Sequence, residues 1–210
     1  MVTLVAVGGA ALGAAIGLAA STGIGPFAAD PVPPVFDPDV YRRATVVIGI
    51  ESIDATSVLP PSGSASYQPG FMIDADTSTA WNSLGDARQD GVGEQVFVDL
   101  AAPAWVTSVR VANGDQRDTT RFLANARLAR VVARFDDGSE VVLVLLDEPG
   151  EQEVALPQPV LTSRVTFEVL EAHRGDTSRD LAVSELTVLG HVALGADRVW
   201  QEDVDTRRDP

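Results

Sequence analysis

Short runs in which apolar and polar residues alternate are the feature that most constrains the fold of this chain. Between residues 127 and 135 and between 163 and 169, every second residue is apolar. Side chains along a β-strand point alternately to opposite faces, so each run predicts a strand with one buried face. Similar apolar or alternating runs occupy residues 44–50, 95–100, 105–111, 140–146, 153–156 and 181–189.

Turn-forming residues separate these runs, and no convincing amphipathic helix interrupts them. Asp136-Asp137-Gly138-Ser139 is one such turn, since Asp-Gly suits the positive φ angles of a tight hairpin. The pattern therefore predicts an all-β, antiparallel jelly-roll β-sandwich. An immunoglobulin-like sandwich is the alternative.

Composition excludes several classes of protein. The 210 residues include no cysteine, which rules out a disulfide scaffold and a cysteine zinc site. The net charge of −15 argues against a nucleic-acid partner and against adsorption to anionic lipid, because both need a basic face. It favours a neutral or cation-bridged ligand.

The first part of the chain has the character of a membrane segment. Val2 to Ala20 carries no charge and is long enough to span a bilayer as a helix. We therefore expect a single transmembrane helix or uncleaved signal anchor within residues 1–25, with a cleaved secretory signal as the alternative. Gly9, Gly13 and Gly17 are four residues apart, a spacing that allows a helix-mediated dimer.

These observations predict four segments. After the helix, residues 26–40 form a proline-rich linker, residues 41–190 the β-sandwich, and residues 191–210 a flexible tail in which Trp200 frays. The predicted location is the cell membrane, in single-pass form, with the β domain extracytoplasmic.

An acidic loop, Asp74 to Trp81, concentrates carboxylates and hydroxyls in a short stretch. Side-chain oxygens two residues apart can converge with backbone carbonyls on a hard cation. A tryptophan directly after such a loop can pin it to the core. The loop is therefore a candidate metal site.

Two further loops carry candidate ligand-binding residues. Amides, guanidinium groups and an aromatic ring are the groups that hydrogen-bond and stack on a sugar or another polar ligand. They occur between residues 113 and 127 and again at 173–174. The candidates are Asn113, Asp115, Gln116, Arg117, Arg121, Phe122, Asn125, Arg127, His173 and Arg174.

No catalytic residue is predicted. Asp136-Asp137 precedes a glycine in a hairpin, so turn formation explains the pair better than glycoside chemistry. Ser184, His173 and Asp180 contain the groups of a hydrolytic triad, but no Gly-x-Ser-x-Gly turn surrounds the serine.

Several motifs together resemble one known family. Residues 74–81 are similar to the Asp-Gly-Asp-x-x-Thr-x-Trp loop of discoidin-like, galactose-binding-like domains, and residues 180–186 to the Asp-x-Ala-x-Ser-Glu-Leu segment of their last strand. Between these motifs, the chain resembles the bacterial NADase-type glycan-binding or translocation subgroup at 91–94, 113–114, 125–127, 137–138 and 146–147. The resemblance covers about residues 50–190.

The resemblance implies an eight-stranded, usually non-catalytic jelly roll, often with a structural calcium ion. Carried over to this sequence, Asp74, Asp76, Thr79 and Glu185 would supply the oxygens. The family often has Gly where this chain has Ala75, and Ala is strained if that position needs positive φ.

The resulting prediction is a membrane-tethered, exported, non-catalytic binding module for glycan or cell-envelope polysaccharide. Two alternatives stay open at this point. One is a structural or translocation-type module that contacts protein partners without binding sugar. The other is a hydrolase that acts on glycosides through acid pairs on its loops.

Overall fold

The computed structural model describes residues 32–42, 44–85 and 90–208. The chain divides between Pro33 and Pro34 into two units, and the fold described below is that of the second. The predicted membrane helix and residues 26–31 of the linker lie outside the described residues. In the described part, no helix is long and apolar enough to cross a membrane.

The described residues form eight strands, two α-helices and one 3₁₀ helix. Helix α1 is Thr119–Ala124, helix α2 is Ala196–Arg208, and the 3₁₀ helix is Pro69–Ile73. The strands are β1 (Val46–Val47), β2 (Ile50–Ala55), β3 (Trp81–Asn82), β4 (Gln95–Asn113), β5 (Arg127–Phe135), β6 (Glu140–Val144), β7 (Glu151–His173) and β8 (Ala182–Val192).

The long strands β4 and β7 each contribute to both layers of a sandwich. The first half of β4 pairs with β2 and with the second half of β7, which in turn pairs with β5, and β5 pairs with β6. The second half of β4 pairs with β8 and with the first half of β7. Strands β1 and β3 both pair with the far side of β8. All strand pairs are antiparallel, so the predicted sandwich is confirmed.

The core lies between the two layers and is built mostly from valine and leucine. Trp81 is fully buried and Met72 is 1% exposed, so both the acidic loop and the 3₁₀ helix are anchored in it. A cavity of about 30 Å³ with an entirely apolar lining remains at its centre. At this size, it is a packing gap rather than a ligand site.

Strand boundaries differ from the predicted ones where strands continue through a bend. Runs 95–100 and 105–111 are halves of β4, and runs 153–156 and 163–169 lie within β7. Strand β2 occupies residues expected to be mostly loop, and α1 forms within the expected polar loop. Asp118 caps α1 by accepting a hydrogen bond from the backbone N–H of Arg121.

The prediction of a flexible tail is wrong for residues 191–208. Strand β8 continues to Val192, and α2 packs against the sandwich at the end where the strands change layer. Tyr41 Oη donates to Asp197 Oδ2 at 2.7 Å, and Trp105 Nε1 donates to Tyr41 Oη at 3.0 Å. Burial raises the pKa of Tyr41, and its hydrogen bond to Asp197 raises it further.

Gln201 provides the second anchor of α2. Its side chain is fully buried, and Nε2 donates to Asp136 Oδ2 at 2.9 Å. Because these anchors are polar, the helix lacks the apolar stripe by which a docked helix is usually recognised in a sequence.

Candidate functional site

The start of β8 fixes the loops at one end of the sandwich. Asp180 Oδ2 accepts hydrogen bonds from Asn82 Nδ2 at 2.6 Å and from Asn125 Nδ2 at 2.8 Å. Asp180 is only 7% exposed, so this carboxylate ties β3 to the segment after α1 in the protein interior. We call the surface formed at this end by residues 66–68, 113–126 and 173–179 the loop end.

Two further polar groups of β8 fix other segments. Ser184 Oγ accepts from the backbone N–H of Gln116 at 3.0 Å. Glu185 Oε1 accepts from the backbone N–H of Asp76 at 3.0 Å, which joins the acidic loop to the last strand. The residues of the Asp-x-Ala-x-Ser-Glu motif therefore each hold a different segment.

The acidic loop is closed by its own side chains. Asp74 accepts from the backbone N–H of Asp76 at 2.9 Å and from Thr79 Oγ1 at 2.8 Å. Trp81 Nε1 donates to Ser57 O at 3.0 Å beneath the loop. Ala75 has φ of 61°, so the position where the family often has glycine does adopt the left-handed conformation.

Two of the predicted metal ligands face each other, whereas a third turns away. Burial raises the pKa of Glu185, and the neighbouring Asp74 raises it further, so these carboxyl groups are close together. The Asp76 carboxylate instead accepts hydrogen bonds from Ser78, which lower its pKa.

As placed, these residues do not fit calcium. Calcium takes six to eight oxygen ligands, but the described residues hold no cluster of three acidic or histidine side chains suited to a metal. The Asp76 N–H, a donor that does not coordinate cations, bonds to both Asp74 and Glu185. Hydrogen bonds among its own groups and to Glu185 close the loop, and calcium binding stays a prediction.

Arg127 holds the base of the loop end together. Its side chain is 4% exposed and pairs with Asp147 at 2.6 Å. Nη1 donates to Phe122 O at 2.9 Å and to Asn125 O at 2.6 Å, and the guanidinium lies 4.9 Å from the centre of the Phe122 ring. Hydrogen bonding to Arg127 lowers the pKa of Asp147. Arg127 and Phe122 are therefore buried and packed against each other in the protein.

Asn113 and Asp115 are also part of the scaffold. Asn113 is fully buried, and its amide exchanges two hydrogen bonds with the backbone of Leu128. Asp115 is 1% exposed and forms a bidentate ion pair with Arg117, whose pKa it raises. These two side chains, like those of Phe122 and Arg127, are buried in the scaffold, and their predicted ligand role stays a prediction.

The remaining candidates reach solvent at the loop end. Arg121 is 52% exposed and the Arg117 side chain 26% exposed. Gln116, Asn125 and His173 are half-buried, and Arg174 is exposed. The loop that carries Arg174 packs on α1, where the Asp176 N–H donates to Leu123 O at 2.9 Å. The two predicted loops therefore form one surface, and the ligand role of these exposed residues stays a prediction.

Tyr67 is a candidate that the sequence analysis missed. It is half-buried and lies close enough to Arg117 to raise the pKa of that guanidinium. A partly exposed tyrosine ring can stack on a sugar, and its hydroxyl can hydrogen-bond to it. Tyr67 stands in a Ser/Pro/Gly-rich stretch, where a single tyrosine gives little signal.

The hypothetical triad residues are each engaged elsewhere. Ser184 bonds to Gln116, Asp180 to two asparagine amides, and His173 Nε2 lies 3.1 Å from Leu145 O. Asp136 is 5% exposed, and its Oδ2 accepts from the backbone N–H groups of residues 163 and 164. These contacts are structural, in line with the sequence analysis.

Comparison with known proteins identifies the family of this chain. Residues 41–189 match the family model of the NAD glycohydrolase translocation F5/8 type C domain. The chain belongs to this family. The predicted resemblance to the translocation subgroup is therefore confirmed. No curated protein is similar enough in sequence to count as a relative.

Solved structures show that this translocation-type domain has the fold of a carbohydrate-binding module. The family 32 module of NanJ from C. perfringens, solved with galactose, has a TM-score of 0.51 at 15% identity, covering 70% of this chain and 99% of its own. The family 32 module of EndoD from Streptococcus pneumoniae has a TM-score of 0.47 at 13% identity, covering 69% of this chain and 94% of its own. At these identities the likeness concerns the fold alone, and the argument rests on the first structure.

Proposed function

We propose that the chain is a non-catalytic binding module that recognises glycan, such as cell-envelope polysaccharide, through the loop end. Its family and its fold, which a galactose-bound module shares, support this proposal. The observation that carries it is that Arg117, Arg121 and the ring of Tyr67 all reach solvent at the loop end. A ring and a planar guanidinium together offer a stacking face and directed donors to sugar hydroxyls.

The second half of the surface adds polar contacts. Arg121 and Arg174 reach solvent on neighbouring segments, and Asn125 is half-buried between α1 and β5. Because Asp115 balances the charge of Arg117, this part of the surface is close to neutral in a chain of net charge −15. We therefore favour a neutral glycan over an anionic one.

A glycan array probed with the full chain tests the proposal. Tyr67→Ala is expected to weaken binding at least tenfold, whereas Tyr67→Trp, which keeps a stacking ring, retains it. Arg198→Ala, an exposed substitution on α2, is the control and leaves binding unchanged. A folded chain that binds no glycan, or that binds equally well without the Tyr67 ring, would contradict the proposal.

We also propose that the module is tethered to the cell membrane through Val2 to Ala20, with the β domain outside the cytoplasm. The uncharged sequence of that segment supports the proposal. Carbonate washing of membranes should leave the full chain bound, and external protease should digest the β domain in intact cells. Release by carbonate, or protection from protease, would contradict tethering or orientation respectively. The glycine spacing adds the proposal of a dimer through this segment.

Calcium binding has a direct test. If Asp74 and Glu185 hold an ion after rearrangement of the acidic loop, adding calcium raises the melting temperature of the full chain and a chelator lowers it. Glu185→Gln would remove this calcium effect. A melting temperature that is insensitive to both additions refutes calcium binding.

A further inference from the structure

Strand β6 leaves a row of backbone groups without partners at the edge of its sheet. Among the described strands, β6 pairs with β5 alone. The Leu145 N–H donates to Ala129 O at 2.9 Å, and the Phe135 N–H donates to Ser139 O at 3.1 Å. Hydrogen-bonded pairs alternate along an antiparallel ladder, so residues 140, 142 and 144 direct their N–H and C=O groups away from β5.

The exposed side of this edge is apolar. Val142 is 46% exposed, and Val144 and Leu146 are each 60% exposed, all on the side of β6 opposite the core residue Leu143. Their neighbour on β5, Val132, is buried although it lies outside the core cluster. An apolar strip therefore runs beside the open hydrogen-bonding groups.

Two other edges of the sandwich, those of β2 and of the first half of β7, carry features that hinder strand addition. The edge half of β7 contains Glu151, Glu153, Pro157 and Pro159. Strand β2 carries exposed acidic side chains and a register shift between Ile50 and Ser52. Charge, proline and bulges are the usual protection of edge strands. Residues 140–144 have one charged residue, Glu140, and neither proline nor a bulge.

Acidic side chains mark both ends of the open edge. Asp137 precedes β6 and Glu148 follows it, and both are exposed. In the part of the chain that the structure describes, neither lies within ion-pair distance of an arginine. Asp147 and Glu140 are also at this edge, each paired with an arginine of β5. An incoming strand would therefore meet negative charge at both ends.

This charge pattern indicates which kind of segment can pair with the open edge of β6. Antiparallel pairing of two copies centred on Val142 would place Asp137 of one copy beside Asp147 of the other, and each copy carries a net charge of −15. Like charges opposite each other destabilise strand pairing. An extended segment with basic residues at its ends meets no such repulsion.

We propose that β6 is a docking site for an extended, basic segment of a partner protein, which adds to the sheet as a further antiparallel strand. The partner's backbone pairs with residues 140, 142 and 144, its alternate β-branched side chains cover Val142 and Val144, and its terminal arginines or lysines contact Asp137 and Glu148. Main-chain hydrogen bonds give such strand addition its affinity, and alternate side chains give its selectivity.

A capped seven-residue peptide of alternating valine and threonine, with arginine at both ends, is a suitable probe of the full chain. Labelled peptide is expected to bind with a dissociation constant below about 1 mM. Binding should weaken at least tenfold when salt rises from about 50 to 500 mM, because the terminal contacts are ionic. Glutamate at the peptide ends, or N-methylation of its alternate residues, should abolish binding. Amide exchange should show new protection at residues 142 and 144.

Variants of the chain test the site itself. Val142→Pro removes an outward N–H without removing a bond to β5, and edge strands tolerate proline at such positions. Val144→Lys places a positive charge on the strip. Each is expected to weaken peptide binding at least tenfold, and the second keeps the test valid if the proline variant does not fold. Val199→Lys, an equally exposed valine on α2, is the matched control and leaves binding unchanged.

Two results would overturn the proposal. One is absence of binding, or binding that the β6 variants and N-methylation leave unchanged. The other is a dimer of the full chain, in the absence of peptide, whose amides at 142 and 144 are already protected, since this would make a second copy the occupant. Glycan binding at the loop end is unaffected by the β6 variants, so the two proposals fail separately.

Discussion

Replacing Ala75 by glycine is expected to raise the stability of the domain, because this residue is held at φ of 61°. The left-handed conformation costs a residue with a Cβ about 1–2 kcal/mol. Ala75 is exposed, so its methyl group contributes little packing that the substitution would remove. Glycine adds conformational freedom to the unfolded chain, which costs about 0.5–1 kcal/mol. The net gain is therefore about 0.5–1 kcal/mol, or about 1–4 °C in melting temperature.

Urea unfolding of the full chain and of Ala75→Gly measures this difference directly. Ala155→Gly is the matched control, since Ala155 is exposed on β7 and its φ is not positive. There, only the freedom of the unfolded chain changes, and stability should fall by about 0.5–1 kcal/mol. If both variants lose stability by similar amounts, the left-handed strain assigned to Ala75 does not exist.

Two further predictions concern buried polar groups. Arg127→Met is expected to lower the free energy of unfolding by about 2–4 kcal/mol, because several buried carbonyl groups lose their donor. Arg121→Met, at an exposed site, should change the free energy of unfolding by less than about 0.5 kcal/mol. The urea midpoints of the two variants measure this difference. Glu185→Gln should stabilise the chain increasingly as pH rises above about 4.5. The pKa of folded Glu185 is raised, so the stability it contributes is present in acid and lost as pH rises. Urea unfolding at pH 4 and pH 7 checks this, and a pH-independent difference would contradict it.

Alternation of side chains was sufficient to predict most of the sandwich. The run 163–169 buries every second residue from Val165 to Val169, as predicted, whereas β5 also buries Leu128 and Val132 on the face expected to be polar. The alternation of side chains does not predict the path of the chain between these runs. The bends at 101–103 and near 162, where β4 and β7 change layers, depend on tertiary pairing with different neighbours.

The candidate site was predicted in part, because residue type does not reveal direction. Asn113 and Arg127 have the side chains of a sugar-binding loop, yet both point inward and bond to the backbone. An amide or a guanidinium group can either bind a ligand or hold a loop together from within. The local sequence does not distinguish these two roles. Helix α2 was missed for a related reason, since Gln201 and Asp197 dock it by hydrogen bonds rather than by an apolar face.

The position of β8 affects how the protein folds during its synthesis on the ribosome. This strand lies between β4 and the two short strands β1 and β3, and its first residues tie down the loop end. Before residues 180–192 have left the ribosome, the nascent chain therefore lacks the middle of one sheet. The apolar side chains that pack against β8 are then exposed to solvent. Domains in which strands far apart in the sequence pair with each other fold slowly, and their folding intermediates expose apolar surface that can aggregate. The sandwich can therefore close only after translation of β8 is complete.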